Sequence, residues 1–73
     1  MEAQDRYVDL LMEKVRGDRY PSGEMLDRIE YALRTRSQAE AYLELLHEKI
    51  GGDRYPSGEM LNRIERNMKR VDA

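Results

Sequence analysis

A chain of 73 residues without cysteine is long enough for one small domain and excludes a disulfide framework or thiolate metal site, so tight helix packing or self-association must stabilise it. Fifteen acidic against 13 basic residues give a net charge of −2, too little to draw the whole chain to nucleic acid or an anionic membrane. The stretch MEAQDRYVDLLMEKV has no basic n-region or cleavage site of a signal peptide and no apolar run long enough to span a bilayer; a cytoplasmic helical protein is the expectation.

In residues 3–16 the apolar positions Ala3, Tyr7, Val8, Leu11 and Val15 recur three or four apart. Leu10 and Met12 widen the stripe while Asp5, Asp9 and Glu13 line another face, which predicts an amphipathic helix. Gly17 stops this run, and Pro21 and Gly23 make GDRYPSG a tight connection. Ser22 as a cap, or Pro21 in a first turn, predicts a second helix starting near 21–23. That helix carries Met25, Leu26, Ile29, Ala32 and Leu33 on one face, with Glu24 and Arg28 paired at i,i+4 outside.

The chain then repeats itself. GDRYPSGEMLNRIE at 52–65 matches GDRYPSGEMLDRIE at 17–30 at 13 of 14 positions, and at the same 35-residue offset YLELLHEKIG (42–51) follows YVDLLMEKVR (7–16). A fixed period of this length marks one supersecondary unit used twice. The expected fold is all-α: tandem αα-hairpin repeats, about 3–36 and 38–71, forming a small helical bundle within one domain over 1–73. The last helix should repeat the apolar face with Met60, Leu61, Ile64, Met68 and Val71, and Glu59 should face Arg63.

Between the copies the signals conflict. No Gly or Pro lies between Glu24 and Ile50, and apolar spacing continues through the stretch, which favours one central helix over about 22–50, bent or broken near 34–37. Against continuity, Ser37 and Glu40 have the spacing of a capping box. Because 35 residues are five heptads, the duplication preserves helical phase by itself.

Candidates for chemistry are few. His47 has Leu43 and Gly51 as its i±4 neighbours and Met12 as its repeat counterpart, so no ligand set or catalytic pair forms around it. The acidic rows Asp5/Asp9/Glu13 and Glu40/Glu44/Glu48 read as solvated faces. Arg16-Gly17-Asp18 becomes Gly-Gly-Asp in the second copy, and the turn lacks the Lys-Ser/Thr end of a P-loop. An enzyme is not expected, nor is a cofactor or a metal. The 35-residue period, with AEAY at 39–42 and GDRY at 52–55, is superficially similar to tetratricopeptide repeats, but Leu, Glu and His fill the small contact positions of that family and a Pro sits inside the turn, so the resemblance fails.

The GDRYPSGEML segment differs least between copies. On the structural reading, Tyr20 and Tyr55 fold back over the hairpin ends and supply buried aromatic area; on the functional one, Arg19, Tyr20, Arg54 and Tyr55 are anchors for a partner. The structural reading takes precedence because tight helix–helix turns are commonly built this way. Arg63, Arg66, Lys69 and Arg70 share one side of the last helix and, with Arg34 and Arg36, could meet phosphates, although cations at a helix C-terminus also offset its dipole.

The leading expectation is a non-enzymatic protein–protein interaction or self-association module, most simply a homo-oligomer. Nucleic-acid contact through the basic face of the last helix is the alternative, and a recently duplicated or engineered scaffold without a ligand is a third reading.

Overall fold

The structure, a computed structural model, describes residues 2–72, and among these the chain forms α1 (Ala3–Arg16), α2 (Gly23–Ala32), α3 (Arg36–Gly51) and α4 (Gly58–Asp72), with no strand. α1 packs on α2 and α3 on α4, and the chain divides between Arg34 and Thr35 into two compact units.

The helix ends follow local chemistry. The hydroxyl of Ser22 accepts a hydrogen bond from the Met25 N–H at 3.1 Å, and Ser57 does the same for Met60 at 3.2 Å, so both trailing helices begin on a serine cap. Both leading helices end in the same way without left-handed backbone: Gly17 and Gly52 lie at φ −82° and −89°. At each end the next amide closes a tighter turn, Asp18 N–H to Val15 O and Asp53 N–H to Ile50 O. Pro21 and Pro56 then stand in the connection, where a residue without an N–H forgoes no helical bond.

The central stretch is two helices rather than one. Leu33 turns extended at φ −64°, ψ 131°, and Thr35, at φ −121°, ψ 158°, caps α3. The expected box at Ser37 and Glu40 is replaced by one two residues earlier. Thr35 Oγ1 accepts from the Gln38 N–H at 3.1 Å, while Gln38 Oε1 accepts from the Thr35 N–H at 3.2 Å. Extended backbone suits the β-branched Thr35, and Glu40 is left to pair with Arg36 at 3.1 Å along the helix.

In the first unit the buried side chains are Val8, Leu11, Met12 and Val15 of α1 and Leu26, Ile29 and Ala32 of α2, with Leu33 just beyond. Each fully buried aliphatic contributes on the order of 1.5–3 kcal/mol. Gln4 Nε2 donates to the Ala32 carbonyl at 3.0 Å and Glu2 pairs with Arg34, fastening the start of α1 to the end of α2. The Glu2 hydrogen bond also raises the Arg34 pKa above its ordinary value. Ala3, Tyr7 and Leu10, expected in the apolar stripe, are exposed.

The second unit buries a different face of nearly the same sequence. α3 contributes Ala39, Tyr42, Leu45 and Leu46, and α4 contributes Ile64 together with Arg63 and Asn67. Met60 and Val71 are half-buried, but Leu61 and Met68, expected inside, are exposed. Position 67 is inward in both copies, as Ala32 and as Asn67; at 100° per residue, losing burial at 61 and 68 and gaining it at 63 turns the inward stripe of α4 by roughly 65° relative to that of α2.

Candidate interaction surface

Each GDRYPSG connection is built from an aspartate upward. Asp18 Oδ1 accepts from the Tyr20 N–H at 3.1 Å, and Asp53 Oδ1 from the Tyr55 N–H at 3.4 Å, an Asx-type turn that fixes the backbone of the tyrosine. The ring is thereby directed outward. Tyr20 is 72% exposed and Tyr55 80%, so the reading in which these rings cover the hairpin ends is corrected. Each ring stacks on its neighbour instead, with the guanidinium carbon of Arg19 5.5 Å from the Tyr20 centroid and that of Arg54 5.6 Å from the Tyr55 centroid. Both Arg-Tyr pairs named from the sequence thus stack in the same way, one in each unit.

A second exposed feature lies between α1 and α2. Tyr7, Glu24, Asp27, Arg28, Tyr31 and Ala32 line an open, largely apolar groove in the first unit. Tyr31 is 93% exposed at its edge. Glu24 bonds Arg28 at 3.1 Å and, with a further contribution from Tyr7, raises its pKa, which keeps that cation engaged along the helix. Beside the groove, Ala3, Arg6, Tyr7 and Leu10 form a shallow patch on the outer face of α1. Sequence reasoning missed Tyr31; its signal was an aromatic residue standing beside the inward-facing Ala32 and Leu33 but off their stripe.

The basic set on α4 is divided. Arg66, Lys69 and Arg70 are exposed, whereas Arg63 is 3% exposed with its guanidinium 2.8 Å from Glu59. Asn67 lies one turn on, fully buried, its Nδ2 donating to the Arg63 carbonyl at 2.8 Å and its Oδ1 accepting no hydrogen bond from the described residues. The stripe rotation explains this placement: position 63 has moved inward while 67 is inward in both copies, and Arg63 has left the face on which phosphate contacts were expected.

His47 is exposed on α3 although its counterpart Met12 is buried. Among the described residues no group of three or more His, Cys, Asp or Glu side chains could hold a metal ion, and no helix is long and apolar enough to cross a membrane. Comparison with protein-family models, curated proteins and solved structures finds no match.

Proposed function

We propose that this protein is a non-enzymatic helical interaction module, organised as tandem αα-hairpin repeats, that self-associates through apolar side chains left open by its own packing. The observation that carries this reading is the uncovered surface of the first unit, where Tyr7 and Tyr31 stand exposed along a groove and Leu10 in the patch beside it, in a chain that has few large side chains to spare. Exposed tyrosines of this kind are typical interface anchors, because they bury much area at small entropic cost. The Arg19/Tyr20 and Arg54/Tyr55 stacks offer two further anchors of the same chemistry. A chain without cysteine suits the cytoplasm.

Sedimentation velocity across a wide concentration series tests the proposal. Mass-weighted sedimentation rising with concentration is expected; a monomer at every concentration rules the reading out.

A second reading rests on Arg66, Lys69 and Arg70, which remain exposed together on α4 and could contact a phosphate backbone. It requires affinity for nucleic acid that falls steeply with salt, and failure to bind single or double strands at low ionic strength removes it.

A further inference from the structure

The repeat allows each open position to be compared with its own duplicate. Tyr7 is 42% exposed and Leu10 50%, while their counterparts 35 residues on, Tyr42 and Leu45, are 0% and 1% exposed. On the trailing helices the inequality runs the other way: Leu26 and Leu33 are buried, and their counterparts Leu61 and Met68 are exposed. A surface that is apolar in both copies and covered in one is a surface the repeat unit is shaped to cover. The chain thus leaves open one leading-helix face, on α1, and one trailing-helix face, on α4.

Charge distinguishes these two faces. Leu10 lies between Arg6 and Lys14, each one turn away on the same side of α1 and each exposed. Leu61 and Met68 lie beside Glu65, with Asp72 one turn beyond Met68, and both acids are exposed. Either face laid against its own copy would set like charges opposite each other; laid against the other, each apolar centre meets an apolar centre and each cation an acid.

Resting on the self-association proposed above, we infer that the partner of the α1 face is the α4 face of a second copy of this chain. The contact is heterologous, joining chains head to tail, and it leaves one face of each kind free at the ends of the assembly, so that it extends or closes into a ring.

Two single-face variants test this. Leu10→Glu places an acid at the centre of the α1 face, and Leu61→Glu/Met68→Glu places acids in the α4 face. All three positions are exposed, and far-UV circular dichroism checks that helicity is retained; Tyr7→Gln/Leu10→Gln and Leu61→Gln/Met68→Gln serve if either acidic variant does not fold. The expected result, by light scattering after size exclusion, is that each variant alone is monomeric and that an equimolar mixture yields a single species of twice the monomer mass, because one intact face of each kind remains. A variant that still self-associates alone, or a mixture that stays monomeric while the wild type associates, overturns the head-to-tail contact and leaves self-association standing. A wild type that never associates overturns both.

Discussion

Arg28 and Arg63 occupy the same position of the repeated GEMLxRIE segment, and each bonds the glutamate one turn before it, yet Arg28 lies on the surface and Arg63 is buried. The difference belongs to packing, since the local sequence is shared. Removal of the two side chains should therefore have unequal effects. Arg28→Ala is expected to leave the urea midpoint unchanged, while Arg63→Ala, which deletes a buried aliphatic stem, should lower stability by about 1–3 kcal/mol. Equal midpoints for the two variants would contradict the rotated stripe of α4.

Asn67 is the other polar group on that stripe, and Ala32 stands at its place in the first copy. The buried Oδ1 accepts no hydrogen bond from the described residues, and leaving such a group unsatisfied costs roughly 1–3 kcal/mol. Asn67→Ala, which also installs the better helix former, should raise the melting temperature. A clear fall would show that the amide contributes more than its bond to the Arg63 carbonyl.

The start of α3 offers a test of capping. Thr35→Ala should destabilise by about 1 kcal/mol, because the Gln38 amide loses its acceptor. Ser37→Ala, already within the helix, should fall within about 0.5 kcal/mol of wild type in the same urea titration. The reverse order would restore the capping box expected at Ser37.

The turn tyrosines separate a structural from a functional role. With both rings mostly exposed, Tyr20→Ala/Tyr55→Ala should preserve helicity and shift stability by no more than about 0.5 kcal/mol per site. A loss of about 2 kcal/mol or more by thermal denaturation would return the rings to the role of covering the hairpin ends.

Features fixed within one or two turns of chain were legible in the sequence. The serine caps at Ser22 and Ser57 depend on a hydroxyl and an amide three residues apart, and the inward face of α2 follows from Leu26, Ile29, Ala32 and Leu33 alone. The break after Ala32 was obscured because the five-heptad duplication carries apolar spacing across it, and Thr35-Gln38 competed with Ser37-Glu40 for the cap. That the second copy buries a different face from the first was not legible. Leu26 and Leu61 sit in nearly identical local sequence and differ in burial, so the deciding contacts come from elsewhere in the fold. The candidate surface inherits this limit: the Arg-Tyr stacks are built from adjacent residues, whereas the openness of Tyr7, Leu10 and Tyr31 depends on what packs against them.

Two-dimensional amide NMR over a dilution series gives the most direct test of self-association through the open faces. Concentration-dependent shifts confined to the outer side of α1 around Tyr7 and Leu10, the neighbouring Tyr31, and α4 around Leu61 and Met68 are the expected result. Spectra unchanged with concentration, or shifts centred on other surfaces, would contradict it.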